Sequence, residues 1–215
     1  MARLTIYKLP TSHTNLIQNR WQQFLEMKLR ELFNSIVQLD DNEWNIAENL
    51  FKERSFKKGE YLMSEGKIEK YINLIVEGTC RAFYIKNGIE YNYEIGLEDD
   101  WVSSYKSFTD NIPSDEYIQA VTNMKVYSIH TDSIQNLASL NPKFAIVERY
   151  IVNQIIIDKT ERLRSFITDT PDERYLKLLE KKQHLVKNIP LRILASYIGI
   201  TPESLSRLRK RLSQK

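Results

Sequence analysis

Apolar positions near the start of the chain recur at helical spacing. From Trp21 to about Phe51 they fall three or four residues apart, and Asp40-Asp41 supplies a helix N-cap between two such runs. This predicts two helices, the second of which carries Trp44, Ile46, Ala47 and Leu50. Residues 1–20 lack a clear periodicity, and we interpret them as an N-terminal arm.

The hydrophobic period then shortens to that of a β-strand. Five of the six glycines lie between Gly59 and Gly96, which is typical of short antiparallel strands joined by tight turns. Asn87-Gly88 lies between two aromatic-rich segments and predicts a hairpin. Further strands are predicted over 117–120 and 125–129. Residues 55–129 therefore read as a small antiparallel barrel or sandwich.

Asn141-Pro142 opens a long apolar helix that runs to about Ile167. One stripe contains Phe144, Val147, Ile151, Ile155, Asp158, Arg162 and Phe166, and five more apolar residues lie outside it: Ile146, Tyr150, Ile156, Ile157 and Leu163. Such a helix needs a second covering surface, and we predict the same helix of another subunit. The alternative, folding back on its own barrel, would hold for part of its length. Pro171 ends the helix and marks a predicted hinge.

The segment from Leu191 to Leu212 has the pattern of a helix-turn-helix. Ala195 is small where two helices would touch, and Gly199 tolerates a positive φ in the turn. Apolar residues at the spacing that holds the crossing angle are Leu194, Ile198, Ile200, Leu205 and Leu208. The second helix starts well, because Thr201 suits the N-cap, Pro202 the first helical position and Glu203 the first turn.

Charge supports an anionic partner for this segment. Residues 171–215 hold eleven basic and four acidic residues, a net +7; the whole chain carries +3, which leaves −4 for the first 170 residues. We predict that this partner is DNA. Arg207 is suited to donate two hydrogen bonds to guanine and Glu203 to accept one from cytosine, while the neighbouring basic residues would contact phosphates. The predicted DNA-binding residues are Thr201, Glu203, Ser204, Ser206, Arg207, Arg209, Lys210 and Arg211.

From about Leu32 to Leu212 the chain resembles the Crp/Fnr family of bacterial transcription regulators. The resemblance rests on Phe56-Lys57-Lys58-Gly59-Glu60, on residues 74–81 with the hairpin that follows, on the long helix and on residues 195–211. It implies an α+β chain: an N-terminal cyclic-nucleotide-binding-type antiparallel β-roll, a long dimerisation helix and a C-terminal winged helix-turn-helix. The wing is expected to be reduced, since residues 181–190 are too few for a full hairpin.

The domain boundaries that follow are an arm at 1–20, an effector domain at 21–140, a dimerisation helix at 141–168 and a DNA-binding domain at 169–215. The resemblance implies a homodimer on near-palindromic double-stranded DNA, with Glu203 and Arg207 at the positions that read the half-site. Pro202 stands where an arginine is common, which leaves the half-site sequence open. RNA polymerase is a further partner that the resemblance leaves open. The alternative function is a cyclic-nucleotide-type regulatory or protein-interaction module without sequence-specific DNA binding.

Family members that bind cyclic AMP carry a Gly-Glu pair and, further on, an Arg-Ser pair. The matching positions here are Ser103-Ser104 and Ser114-Asp115. A phosphate would lose its charge-assisted contact and gain a repulsive neighbour, so we predict that cyclic AMP is not the effector. Two alternatives stay open: a pocket filled by the protein's own Tyr and Phe side chains, or a less anionic small molecule of unknown identity.

The remaining chemistry narrows the function classes. Cys80 is the only cysteine, which excludes an internal disulfide and an iron–sulfur cluster and favours a buried hydrophobe over a haem ligand. The three histidines, His13, His130 and His184, lie far apart, which argues against a cupin-type metal enzyme. No catalytic triad or P-loop is present, so we predict no enzyme, metal or cofactor. Without a membrane-length apolar run or signal peptide, the predicted location is the cytoplasm and no membrane partner is expected.

Overall fold

The computed structural model describes residue 27 and residues 29–212, so the predicted arm at 1–20 lies outside the described residues. The chain divides into two compact units between Glu48 and Asn49. In the first unit, helix α1 (29–36) and helix α2 (Asp41–Glu48) bring the rings of Phe33 and Trp44 edge to face, with centroids 5.8 Å apart. Asp40 and Glu43 exchange side chain to backbone hydrogen bonds and form a capping box, which starts α2 as predicted.

The second unit contains two four-stranded antiparallel sheets among its described residues. The strands are β1 (Phe51–Phe56), β2 (Tyr61–Met63), β3 (Tyr71–Glu77), β4 (Cys80–Lys86), β5 (Ile89–Gly96), β6 (Trp101–Val102), β7 (Tyr117–Ala120) and β8 (Met124–His130). Their orders are β1-β8-β3-β6 and β2-β7-β4-β5. This roll confirms the predicted fold class. The prediction that the second helix includes Leu50 and that helical spacing continues to about Phe51 was wrong. Helix α2 ends at Glu48, and Phe51 already pairs with Ile129 in the sheet.

The predicted hairpin is present between β4 and β5. Asn87 and Gly88 both have positive φ, 53° and 76°, as a type I′ turn requires. The core of the roll is apolar and tightly closed: Ile75, Ile118 and Val126 are 0 % exposed and Cys80 is 1 % exposed. Burial raises the pKa of the Cys80 thiol, so Cys80 is the buried hydrophobe that the sequence predicted.

Among the described residues, six helices follow β6. The first, α3 (Tyr105–Asp110), precedes β7, and the others follow β8: α4 (Thr131–Leu140), α5 (Pro142–Thr168), α6 (Pro171–Val186), α7 (Leu191–Ile198) and α8 (Pro202–Leu212). Asn141 caps α5 and Pro142 starts it. The α5 stripe of Phe144, Val147, Ile151 and Ile155 is buried, and α5 contacts α4, β5 and β6. Residues 171–212 form helices without a strand, consistent with the reduced wing.

Candidate functional site

Helices α7 and α8 form a helix-turn-helix around a buried apolar centre. Leu194, Ala195, Ile198 and Leu205 are 0 % exposed, and Tyr175 and Leu178 of α6 and the β5 residue Ile95 belong to the same core cluster. Ala195, which the sequence predicted at the point where two helices touch, is buried in this cluster. The helix-turn-helix therefore has its own core and also packs on the roll.

Gly199 forms the turn between the two helices. Its φ is 82°, and its N–H donates to the carbonyls of Ala195 and Ser196, which closes the carboxyl end of α7. Thr201 then caps α8, since its Oγ1 accepts from the N–H of Ser204 at 3.3 Å. The backbone N–H of Glu203 and the Thr201 hydroxyl hold the pKa of the Glu203 carboxyl below its usual value, so this side chain is ionised at neutral pH.

One face of α8 points away from the protein core. Glu203, Ser206, Arg207 and Lys210 are exposed, and the Arg207 guanidinium donates to Ser204 Oγ at 3.0 Å. Glu203 and Arg207 lie one helical turn apart, so both side chains can reach adjacent positions of a single ligand. This face brings four of the eight predicted DNA-binding residues together in one surface.

Arg209 and Arg211 lie on a different side of α8 and contact α6. Arg209 Nε donates to Tyr175 Oη at 3.1 Å, and its guanidinium lies 5.7 Å from the Tyr175 ring centroid. Arg211 forms an ion pair with Asp172. These two arginines therefore orient α8 against α6. The sequence did not reveal this role, because nothing in it distinguishes the basic residues that contact α6 from those that are exposed.

Two further arginines that sequence reasoning did not single out bind the carboxyl end of α7. Arg162 of α5 contacts the carbonyl of Tyr197, and Arg174 of α6 donates from Nε to the carbonyl of Ile198 at 2.8 Å. No local sequence pattern signals these contacts, since 35 and 24 residues separate the partners along the chain.

The serines predicted at the degenerate ligand cassette come together. Ser104 precedes α3 as its N-cap, and its hydroxyl lies 2.9 Å from the hydroxyl of Ser114. Ser103, Ser104 and Ser114 are buried, Ser103 Oγ donates to the carbonyl of Tyr71, and Asp115 is exposed. The hydroxyls of Ser104 and Ser114 thus bond to each other, whereas the Ser103 hydroxyl bonds to the backbone.

Two buried acidic residues, Glu69 and Glu116, lie next to Ser104 and Ser114. Glu69 is 3 % exposed, accepts hydrogen bonds from the N–H groups of Lys70 and Tyr71, and has a pKa raised above its usual value by burial. Glu116 is 5 % exposed and accepts from the phenol of Tyr93, whose own pKa burial raises. A carboxylate offers a phosphate no hydrogen-bond donor and repels it when ionised.

A cavity of about 460 Å³ opens beside the cassette, between β4, β5, the carboxyl-terminal half of α5, and α6 and α7. Tyr84 and Tyr93 stack in its wall with centroids 4.9 Å apart. Its charged lining is mixed, because Lys159 pairs with Glu94 at 2.9 Å and Lys177 with Asp169 at 2.8 Å. The cavity is large enough for a small molecule. Its lining has no excess of acidic or basic residues that would favour an anionic or a cationic ligand.

The described part of the chain contains no group of three or more His, Cys, Asp or Glu side chains placed to hold a metal ion. Its helices include none that is long and apolar enough to cross a membrane.

Comparison with known proteins identifies the roll and the overall fold. Residues 53–141 match the family model of the cyclic nucleotide-binding domain. FixK2 from Bradyrhizobium japonicum is 19 % identical over 76 % of this chain and 85 % of its own, with a TM-score of 0.63. No curated protein sequence matches the chain.

Two further solved structures share the fold. One is the regulator CLP from Xanthomonas campestris, described as responsive to c-di-GMP, at 14 % identity over 81 % of this chain and 92 % of its own. The other is a Eubacterium rectale protein described as a transcriptional regulator of the Crp/Fnr family, at 14 % identity over 81 % and 84 %. Both have a TM-score of 0.61. The TM-scores show a common fold.

Proposed function

We propose that this chain, whose residues 53–141 match the cyclic nucleotide-binding domain and whose fold resembles solved structures of Crp/Fnr-type regulators, is a sequence-specific DNA-binding regulator without enzymatic activity. The observation that carries the proposal is the exposed face of α8. Glu203, Ser206, Arg207 and Lys210 line this face on a helix-turn-helix whose core is fully buried.

The residues on this face have different expected roles. Arg207 and Glu203 are near the amino-terminal half of α8, where a recognition helix meets base edges, whereas Lys210 lies one turn further on, where phosphates pass. Ser206 and Thr201 add hydroxyl groups that can bond to bases or phosphates. Arg209 and Arg211 contribute by holding α8 against α6.

We further propose that α5 pairs two copies of the chain. Its exposed residues Ile146, Tyr150 and Ile157, at 40 %, 37 % and 51 % exposure, are spaced by four and seven residues on a face away from the buried stripe. Leu163 and Ile167 extend the exposed apolar surface at 63 % and 76 %. A surface of this spacing fits a helix-to-helix seam between identical subunits, which would present two α8 helices to successive major grooves.

The effector proposal is that cyclic AMP does not bind. The cassette offers serine hydroxyls where an arginine would be needed, and the neighbouring acidic residues Glu69 and Glu116 supply no cation for the phosphate. CLP, which shares this fold, is described as responding to c-di-GMP, so the fold is not tied to cyclic AMP. A protein-interaction module is the second candidate, and the mixed cavity is compatible with it, but it would leave the exposed face of α8 without a role.

The test is DNA binding by matched variants on a duplex that the protein selects. Arg207→Ala should cost about 1–3 kcal/mol on the best duplex and relax one base position, because a bidentate base contact is lost. Lys210→Ala should weaken all duplexes alike and lower the salt dependence, because it removes a phosphate contact. Lys67→Ala, at an exposed lysine of the roll, is the control that removes the same charge. Equal losses for Arg207→Ala and Lys67→Ala would refute the assignment.

A further inference from the structure

Three parts of the second unit meet at Arg162. The residue belongs to α5, its Nε donates to the carbonyl of Tyr93 in β5 at 3.0 Å, and its Nη2 donates to the carbonyl of Tyr197 in α7. The guanidinium lies 3.6 Å from the ring centroid of Tyr197 and 4.0 Å from that of Phe166. One side chain thus joins the long helix, the roll and the helix-turn-helix.

The carbonyl that Arg162 binds is in the last turn of α7. The final carbonyls of a helix have no partner inside the helix and carry the negative end of its dipole, so a cation bound there is favourable. Arg162 takes the carbonyl of Tyr197, and Arg174 takes that of Ile198. Burial lowers the pKa of Arg162 to about 10, which still leaves the guanidinium charged at neutral pH.

The other polar contacts between α7 and β5 are weaker. The N–H of Asn92 donates to Ser196 Oγ at 3.1 Å, and the same hydroxyl lies 3.4 Å from the carbonyl of Glu90. Arg192 approaches the Glu90 carboxylate at 3.7 Å, but its side chain is 80 % exposed, so solvent screens this pair. Hydrogen bonds from a partly buried charged donor are stronger than these, so Arg162 provides the main polar link.

We propose that Arg162 is a positioning residue that fixes the helix-turn-helix on the roll by joining the carboxyl end of α7 to β5. Its relevance to DNA binding rests on the proposed function, whereas the docking itself stands on the contacts above. Because the exposed face of α8 is accessible in the docked arrangement, fixing this arrangement prepares the helix for DNA. Arg162 also lines the cavity beside Tyr93, so a change in that cavity would reach α7 through it.

The amide of Asn92 is a direct reporter of docking, because it donates across the interface to Ser196. Hydrogen exchange measured residue by residue on the full chain should show about tenfold or faster exchange of this amide in Arg162→Gln, since a charged hydrogen-bond donor is lost. Arg164→Gln is the matched control, because Arg164 lies on the same helix and lines the same cavity but pairs with the exposed Glu161. The amide of Val126, in the core of the roll, reports whether each variant is folded.

A second variant separates charge from geometry. Arg162→Lys keeps the charge but cannot fork to the carbonyls of both Tyr93 and Tyr197, so its exchange rate at Asn92 should lie between those of the unmodified protein and Arg162→Gln. Affinity for the selected duplex should fall several-fold in Arg162→Gln with an unchanged salt slope, because the docked orientation is lost but no phosphate contact is.

Unchanged exchange at Asn92 in Arg162→Gln would overturn the proposal, and faster exchange with unaltered DNA affinity would refute its relevance to DNA binding. If the unmodified protein failed to select a DNA sequence, the proposed function would fall. The exchange experiment would still decide whether Arg162 docks the helix-turn-helix.

Discussion

Substituting Gly199 by alanine tests the turn of the helix-turn-helix. Gly199 has a φ of 82°, and an added Cβ would lie 3.1 Å from Cε1 of Phe166. The left-handed conformation costs an L-residue about 1–2 kcal/mol. About 0.4–1 kcal/mol of this is offset because alanine restricts the unfolded chain.

Gly66 provides the matched control for this substitution. Its φ is 81°, and a Cβ there would meet nothing within 4 Å, so Gly66→Ala isolates the conformational cost at about 1 kcal/mol. Gly199→Ala must in addition displace the Phe166 ring, which packs against Arg162, and moving a ring off its rotamer adds about 1 kcal/mol. We therefore expect Gly199→Ala to cost about 2 kcal/mol of unfolding free energy.

The assay is guanidinium unfolding of both variants and of Gly199→Ala combined with Phe166→Ala. Removing the ring should abolish the excess cost of Gly199→Ala over Gly66→Ala, as in any pair of contacting residues. Gly199→Ala should also weaken DNA binding, because the turn sets the angle of α8, whereas Gly66→Ala should not. Equal destabilisation by the two single substitutions would refute the contact with Phe166.

Three further predictions concern assembly, effector and pH. Ile157→Glu should yield monomers in sedimentation at concentrations where the unmodified protein is a dimer. Ile112→Glu, at another exposed isoleucine, is the control. A dimer that survives Ile157→Glu would rule out the α5 seam. Calorimetry with cyclic AMP should show no saturable binding, and micromolar binding would disprove the reasoning from the cassette. Lys177 and Ser165 lower the pKa of Asp169 to about 2, below the value of 3.8 for an ordinary Asp. Asp169 therefore stabilises the fold above about pH 4, and this contribution should disappear in acid unfolding as the pH falls toward 2. Lys177→Ala removes the first cause of the lowered pKa, so it should flatten the dependence of unfolding free energy on pH in this range.

The sequence carries the parts of this structure that depend on local pattern. Asn87-Gly88 predicts its hairpin because only residues tolerant of positive φ fit a type I′ turn, and Gly199 predicts its turn for the same reason. The limits of α5 follow from Asn141-Pro142 at one end and Pro171 beyond the other. The exposed face of α8 follows from the spacing of its leucines.

Contacts between distant residues are not visible in such patterns. β1 is an edge strand in which only Phe51 is fully buried, so its alternation is too weak to separate it from the helix before it. The basic residues of α8 are adjacent in sequence, yet Arg209 contacts Tyr175 and Lys210 is exposed, a division that depends on where α6 packs. Arg162 has no local signature at all, because both its carbonyl partners lie far along the chain.

The most direct test of the account is selection of bound sequences from a pool of random duplex DNA by the full chain. We predict enrichment of an inverted repeat. Its half-site centres should lie about one helical turn apart, roughly 10 base pairs, as expected for two α8 helices related by a two-fold axis. Enrichment should disappear for Arg207→Ala combined with Glu203→Ala. Recovery of no common sequence, with equal affinity for unrelated duplexes, would contradict sequence-specific regulation by this protein.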